Sequence, residues 1–373
     1  MLNLRLQRIV RNAQRGLSQQ KPLAAQKNKM LAWCIHSYGD LDELKLAENR
    51  APILNNPDDV LVEVRAASVN PIDSAMLAGY GRASFQVLRN FEIEFPLVLG
   101  RDFAGVIVGK GQNVCNSFKI GDMVYGFIPL HKQGSFAELV NVSQCYILPK
   151  PFSLTNEESA SLVYATMTAW GALFLTGNLL VKQKRGLRVL VLGGSGGVGT
   201  ATIQLLKSQG CVVYTTSSSD AIPLLTSLGA DVVYDRNDKD YERLVCQEGK
   251  YHIILDAAKI GIENIPKSWD YETYITLNSP LLTNNDDRGL LCGTAASIRN
   301  LLENNVTRIA SGRTVRWGFF VPSTSGFEFV DKLIRSGEIR PVIHKQFKFC
   351  DLPNAIQCVR DGHLRGKVVV NYE

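Results

Sequence analysis

Arg188-Val-Leu-Val-Leu-Gly-Gly-Ser-Gly-Gly-Val-Gly-Thr-Ala-Thr-Ile-Gln-Leu-Leu206 decides the architecture of this chain. Val189 to Leu192 is a short apolar run of the kind a buried parallel strand shows. Gly194-Ser-Gly196-Gly-Val-Gly199 follows at once, and Ile203, Leu205 and Leu206 begin a helical apolar pattern. Strand, glycine turn and helix arrive in the order a dinucleotide site needs. Gly194 permits the tight turn, Gly196 lets a pyrophosphate approach the backbone, and Gly199 lets the helix pack on the strand. The helix N-terminus then offers free N–H groups and a positive dipole end to the phosphates. A glycine-rich turn without a ligand has the same local pattern; the alternation that follows favours the cofactor site.

Working outward, strand-like segments fall at 211–216, 231–235, 251–257, 273–278 and 314–320, with helical patterns at 198–209, 221–228, 240–247 and near 297–304. This predicts an α/β, doubly wound parallel sheet of six strands. Residues 260–292, polar-rich with Asn284-Asn-Asp-Asp287, read as an insertion or lid-like excursion. The second strand ends in Thr215-Thr-Ser-Ser-Ser219, where NAD enzymes place an acid about 20 residues past the first glycine. Asp220 reads instead as the cap of a helix starting at Ala221. An uncharged tip leaves room for a 2′-phosphate, with Arg236 at the end of the third strand as its counter-charge. The cofactor expected is therefore NADPH.

Before the cradle, 30–36, 60–69, 96–108, 121–127, 136–142 and 145–148 read as strands punctuated by glycines, an all-β, barrel-like unit. Pro149-Lys-Pro151 closes it. Thr155-Asn-Glu-Glu158 is a capping box before helices at 159–163 and 165–175. After the sheet, a helix at 326–334 leads to strands at 340–349 and 366–370 around a helix at 352–360, which return to the β-rich unit.

The net charge of +6 is carried by the N-terminus. Arg5, Arg8, Arg11, Arg15, Lys21, Lys27 and Lys29 precede the first acid, Asp40; without these seven, 34 basic residues face 35 acidic ones, a net of −1. The globular part is thus no basic nucleic-acid binder. Leu2, Leu6, Ile9 and Val10 share a helix side with the arginines mostly off it, the pattern of a mitochondrial transit peptide over 1–29; a basic tail or a surface membrane helix shares parts of it. No run of eighteen apolar residues exists to span a membrane. The eight cysteines are scattered without a C-x-x-C, which fits free thiols. The five histidines show no triad spacing.

Ala66-Ala-Ser-Val-Asn-Pro-Ile-Asp73, Leu99-Gly-Arg-Asp-Phe-Ala-Gly105, Gly121-Asp-Met-Val-Tyr-Gly126, Gly134-Ser-Phe-Ala-Glu138, Tyr164-Ala-Thr-Met-Thr-Ala-Trp170 and the cradle stand in sequence. Together, over about residues 30–373, they resemble the zinc-free quinone-oxidoreductase branch of the medium-chain dehydrogenases/reductases. The resemblance implies a GroES-like β-barrel catalytic domain over 30–152 and 323–373 and a Rossmann NADPH-binding domain over 153–322. Gly79-Tyr-Gly81, Trp317-Gly-Phe-Phe320, the inserted region and the basic presequence are similar to the branch's mitochondrial members. That similarity implies a matrix enzyme of quinone metabolism supporting coenzyme Q synthesis, with reticulon-type or quinone-synthesis protein partners and a homodimer. It carries Ser195, Gly197 and Val198 to the pyrophosphate and Ser218, Arg236 and Tyr241 to the 2′-phosphate end. It places Leu277, Asn278, Trp317, Gly318, Phe319 and Phe320 near the nicotinamide, and Gly366-Lys367 near the cofactor. One departure is Asp256-Ala-Ala-Lys259, where relatives often have glycine. Zinc-dependent relatives place Cys at or near Asn70 and His within Gly100–Asp102; here no His/Cys set has metal spacing, and no metal is expected.

Without a metal, hydride transfer to a quinone or enone needs hydrogen-bond donors for the oxygen that gains charge. Asn70 is the first candidate, to hold the nicotinamide ribose or the substrate oxygen; it is also a turn residue before Pro71. Tyr80 donates to the acceptor or walls its pocket. Thr168 contacts the carboxamide or ribose, or bonds its own helix backbone. No dedicated general acid is evident. The expected activity is NADPH-dependent reduction of a quinone or conjugated carbonyl; the alternative is an NADPH-binding interaction or scaffold protein with little turnover.

Overall fold

The computed structural model describes residues 28–90 and 93–372, so the targeting segment expected over 1–29 lies outside the described residues except for Asn28 and Lys29. Val189 to Leu192 are fully buried, because the strand Arg188–Leu192 has parallel neighbours on both edges. A strand covered on both faces has no solvent side, hence the unbroken apolar run. The sheet order is Val232–Asp235, Val212–Ser217, Arg188–Leu192, Tyr251–Asp256, Tyr271–Thr276, Thr314–Trp317, all parallel, which is the doubly wound arrangement expected. The order reverses between Arg188–Leu192 and Tyr251–Asp256, and a crevice opens there beyond the carboxyl ends. At the far edge, Asn305 of helix Leu290–Ile309 takes the Val315 N–H on Oδ1 (2.8 Å) and donates Nδ2 to the Val315 carbonyl (3.0 Å).

The β-rich unit is organised on Asp59–Val69, which pairs antiparallel with Asp102–Lys110, with Leu139–Ser143 and with Lys367–Asn371. Register shifts at Leu61/Val62 and Val64/Ala66 bend this strand so that it serves all three partners. Met123–Phe127 and Ile147–Pro149 extend the sheet on one side, and Ile343–Lys348 extends it on the other. Lys45–Arg50, Lys29–Ile35 and Leu97–Val98 form a small separate sheet. The last strand of the chain thus starts at Lys367, inside the barrel and beside the cradle.

One helix, Asn156–Trp170, joins the two units. Thr155 Oγ1 accepts the Glu158 N–H (3.1 Å) and the Glu158 carboxylate accepts the Thr155 N–H (2.8 Å), the reciprocal cap its sequence predicts. Two helices were expected from the pattern; the structure has one, running on as a π-helical turn Gly171–Thr176, because neither Gly nor Pro interrupts 156–170. The helix is buried from Ser159 to Trp170, and its core cluster contains barrel residues Ala66, Ala104 and Phe127 together with sheet residues Val191 and Ile275.

Four elements escape the period-based reading: strand Lys45–Arg50 and helices Pro71–Leu77, Arg82–Leu88 and Leu281–Arg288, each too short to establish a period. Within the stretch read as an insertion or lid-like excursion, 260–292, the strand expected at 273–278 is the sheet strand Tyr271–Thr276, Trp269 is buried, and Leu281–Arg288 is a helix packed on the 20-residue helix Leu290–Ile309, so the stretch is built into the fold. No described helix is long and apolar enough to cross a membrane.

Phe327, 1% exposed, stands edge-on to Tyr125 (5.2 Å) and Phe127 (5.5 Å) and pins helix Thr324–Arg335 to the barrel. Phe327→Ala should lower stability by about 3–5 kcal/mol. Chemical denaturation of the two chains checks this, and an unshifted midpoint would contradict it.

Candidate active site

The cradle has the geometry that its glycines require. A Cβ built on Gly194 would lie 2.0 Å from Thr215 Oγ1, and one on Gly199 would lie 2.3 Å from the Gly193 carbonyl. One on Gly196 meets only the Gly193 oxygen, at 3.9 Å, so it would project into open space. That space is a cleft of about 360 Å³ lined by Ser195 to Gly199 at the start of helix Gly197–Ser208. Its other wall is the returning C-terminal segment: Gly366 N–H donates to the Ser195 carbonyl at 2.8 Å, and Gly366 bridges Gly196.

Lys367 crosses the cleft, its Cδ 2.6 Å from where a Cβ on Gly197 would stand. Its buried ammonium donates to the Val69 carbonyl (3.1 Å) and to Asn70 Oδ1. Asn70 Nδ2 donates in turn to Asp102 Oδ2 (3.3 Å) and the Ser68 carbonyl (3.4 Å). Asp102, fully buried, also takes the Ser68 N–H (3.0 Å), the Ser68 hydroxyl (2.8 Å) and the Tyr164 N–H (3.3 Å). Burial pulls the Lys367 pKa down and pushes that of Asp102 up, and each charge opposes the other's shift. Both amide hydrogens of Asn70 are engaged, so it has none left for a substrate oxygen. Lys367 has three donors and two hydrogen-bond partners, which leaves one N–H for a further acceptor.

Beside this chain, Asp73 takes the N–H groups of Asn70 (2.8 Å) and Gly100 (3.0 Å), and lies 3.9 Å from Arg101 Nε. Arg101, also fully buried, donates to the carbonyls of Val98, Pro129, Leu130 and Lys132. Sequence reasoning missed Asp73, Arg101 and Asp102 as a network. The signal was present: adjacent opposite charges inside the apolar run Leu99–Gly105.

Tyr80 sits half-buried on the turn between Gly79 and Gly81, and burial raises its hydroxyl pKa, with the nearby Asp286 carboxylate adding to the rise. Tyr164 is buried with its pKa well raised, first by desolvation. Its ring stacks on Phe320 at 4.3 Å, and Phe320 meets Phe127 edge-on at 5.3 Å. Thr168 donates its hydroxyl to the Tyr164 carbonyl (2.8 Å), the intrahelical alternative raised by its position. Trp317 ends the edge strand Thr314–Trp317, and Gly318 follows it. A Cβ on Gly318 would crowd Ala172 (2.9 Å) and Leu277 (3.0 Å), and Phe319 is partly exposed. Leu277 and Asn278 follow strand Tyr271–Thr276, with the Asn278 N–H on Thr276 Oγ1 (3.1 Å).

At the other end, the strand tip is not uncharged. Asp220 does not cap the following helix; its carboxylate takes Nε (2.9 Å) and Nη2 (2.6 Å) of Arg365. Arg365 Nη2 also donates to Ser218 Oγ (2.8 Å). The ion pair wins over the cap because a guanidinium from the C-terminal segment reaches the carboxylate with two N–H groups at once. Arg365 is the residue most plainly missed; only its place before Gly366-Lys367 hinted at it. Arg236 lines the cleft. Tyr241 is not among the lining residues and packs edge-on to Trp269 at 6.5 Å. The Asp256-Ala-Ala-Lys259 turn is built without glycine: Asp256 takes the N–H groups of Ala258, Ile260 and Gly261, and Lys259 adopts φ 59.

Burial is the largest influence on Asp73 and raises its pKa to about 6 from an ordinary 3.8. A carboxyl whose folded pKa lies above its unfolded one adds stability below about pH 4, and that contribution is lost as pH rises through 6. Relative to Asp73→Asn, the native chain should lose on the order of 3 kcal/mol across that window. Denaturation midpoints for both chains from pH 4 to 7 check this; parallel profiles would refute it.

Residues 56–152 match the family described as "Alcohol dehydrogenase GroES-like domain", and residues 228–370 match "Zinc-binding dehydrogenase". The chain is 42% identical over 364 residues to "NAD(P)H oxidoreductase RTN4IP1, mitochondrial" of Drosophila melanogaster, covering 94% of this chain and 88% of the relative. The Homo sapiens protein of that name is 38% identical over 353 residues, covering 92% and 89%. The quinone oxidoreductase structure from Coxiella burnetii superposes with a TM-score of 0.74 at 25% identity, covering 92% of this chain and 100% of that one. With the two family matches and these near full-length relatives, the chain belongs to the medium-chain dehydrogenases/reductases, among the mitochondrial NAD(P)H oxidoreductases of the reticulon-interacting type.

Proposed function

We propose that this protein is an NADPH-dependent, zinc-independent reductase of quinones or conjugated carbonyls, working in mitochondrial quinone metabolism that includes coenzyme Q synthesis. The observation that carries the reading is the cleft itself. A glycine cradle lined by Arg236, Arg365 and Lys367 runs as far as Ala165, next to Tyr164, whose ring stacks on Phe320. Among the described residues no three His, Cys, Asp or Glu side chains converge on a metal position. Where zinc-dependent relatives place ligands, this chain has the Asn70 amide and the buried Arg101 guanidinium. A fixed cation there repels a metal ion, so the family description "Zinc-binding dehydrogenase" names the lineage and not a site that this donor set suits.

The cleft fits the cofactor. Gly196 leaves the backbone open, and the first-turn N–H groups of Gly197, Val198 and Gly199 hold the pyrophosphate with Ser195 beside them. Ser218, Arg236 and Arg365 would hold the 2′-phosphate, with Asp220 keeping Arg365 in place. Lys367, oriented by Asn70, would hold the ribose. Leu277, Asn278 and the Trp317 to Phe320 segment would flank the nicotinamide. NADPH, when bound, supplies a hydride. Tyr80 and Tyr164, with raised pKa values, keep their protons at neutral pH and donate hydrogen bonds to the acceptor oxygen. The aromatic wall excludes water from an easily reduced, flat acceptor.

A second reading, an NADPH-binding interaction protein, draws on helix Leu290–Ile309. Leu291, Ile298, Leu302, Val306 and Ile309 form an exposed apolar stripe along it, Leu291 at 87% exposure. NADPH oxidation against a panel of quinones and enones, with NADH in parallel, separates the readings: turnover preferring NADPH supports the reductase, and tight NADPH binding without turnover supports the interaction protein.

Arg365→Ala and Arg236→Ala should each weaken NADPH about tenfold or more while leaving NADH within about twofold, since only a 2′-phosphate uses these charges. Equal losses for both cofactors would remove that role. Gly196→Val should abolish binding of either cofactor, measured by titration.

A further inference from the structure

Asp286 belongs to helix Leu281–Arg288, which follows the sheet strand Tyr271–Thr276 through Leu277 and Asn278. Its carboxylate reaches across to the barrel unit. Oδ2 takes the Gly81 N–H at 2.6 Å and Oδ1 takes the Ala83 N–H at 2.9 Å. Three neighbouring contacts reinforce it: Asn285 Nδ2 donates to Ser84 Oγ (3.1 Å), Arg82 Nη2 donates to the Asp286 carbonyl (3.4 Å), and Leu282 packs against the barrel core. The far side of the helix is fixed as well. Asn284 donates to Ser297 Oγ (2.9 Å), Thr294 donates to Asn285 Oδ1 (3.2 Å), and a Cβ on Gly293 would strike the Asn284 carbonyl at 2.3 Å.

The residues Asp286 holds are those around Tyr80. Gly79 (φ 89) and Gly81 (φ 82) both adopt the left-handed conformation, which side chains rarely tolerate. Tyr80 therefore stands on a turn with two permissive flanks; within the barrel its own N–H is tied to the Ala75 carbonyl at 3.0 Å and the Arg82 N–H to the Gly79 carbonyl at 3.3 Å. The Gly79 N–H is tied within the barrel to the Met76 carbonyl at 2.9 Å. Among the described residues the Gly81 N–H is tied only to Asp286, from the cofactor side. Charged acceptors on backbone N–H groups make strong hydrogen bonds, and here two share one carboxylate.

We propose that Asp286 is a positioning residue for the acceptor: it clamps the Gly79-Tyr80-Gly81 turn from the cofactor-binding unit and so fixes the wall against which the acceptor binds. This role rests on the reductase reading of the cleft. Because helix Leu281–Arg288 lies only two residues, Ser279 and Pro280, beyond Leu277 and Asn278, the clamp sets the spacing between the cofactor end and the acceptor wall.

The test uses the whole chain with Asp286→Ala and Asp286→Asn. Three quantities are measured: hydrogen–deuterium exchange over 79–88, the NADPH dissociation constant, and kcat and KM for the best quinone or enone of the panel. In Asp286→Ala, exchange over 79–88 should rise and the acceptor KM should increase about tenfold or more, with the NADPH constant within about twofold. Asp286→Asn, whose amide oxygen serves one N–H, should lie between; it carries the comparison alone if the alanine variant does not fold. Unchanged exchange with unchanged KM would overturn the clamp. So would a proportional loss of NADPH affinity, which marks general structural damage. A native chain that turns over no acceptor removes the reductase reading and this role with it; a native chain with turnover and a variant of unchanged KM removes the clamp alone.

Discussion

A buried lysine holds the two halves of this site together. The Lys367 ammonium has left water, and its compensation comes from the Val69 carbonyl, the Asn70 amide oxygen and the field of Asp102. None of the three would suffice alone for a buried cation. Asn70 is the link: a cation on its oxygen and a carboxylate on its nitrogen leave its amide one orientation. Lys367 begins the final barrel strand while its neighbour Gly366 is bonded to the cradle. The register of that strand, the floor of the cleft and the position of the glycine turn are therefore one constraint. A shift of the last strand by one residue would turn Lys367 to the opposite face and leave Asp102 buried without a counter-charge.

The two ends of the cleft use charge differently. At the strand tip, the half-buried Arg365 pairs with the exposed Asp220, a partly solvent-screened contact that keeps a guanidinium in a defined place. At the floor, Asp73, Asp102, Arg101 and Lys367 are buried, and their interactions are strong because no water screens them. The first arrangement suits an anion that must come and go. The second suits permanent geometry beneath a reaction centre.

Much of this was legible in the chain. Gly194, Gly196 and Gly199 identify the cradle because each removes a different Cβ, and the run Val189 to Leu192 reveals a strand buried on both faces. The Thr155–Glu158 cap reads directly because its bonds are local. What failed was non-local. Asp220 resembled a cap until Arg365, far along the chain, approached it. Asn70 seemed free to serve a substrate until Asp102 and Lys367 took both sides of its amide. Within 260–292 the strand at 273–278 was legible, but helix Leu281–Arg288 was not, because so short an element establishes no period, and the burial of Trp269 depends on the sheet. Local pattern reports backbone habit; partners brought together by folding decide what a polar side chain does.

The amide of Asn305 has a consequence beyond its own helix. The edge strand Thr314–Trp317 ends the sheet, and an open edge is a template for another strand. Asn305 fills both the donor and the acceptor of Val315, and Thr176 Oγ1 donates to the Trp317 carbonyl at 3.3 Å. The sheet is thereby terminated by side chains. An incoming strand must first strip away bonds already made, so the molecule protects itself against edge-to-edge aggregation without Pro or Lys in that strand.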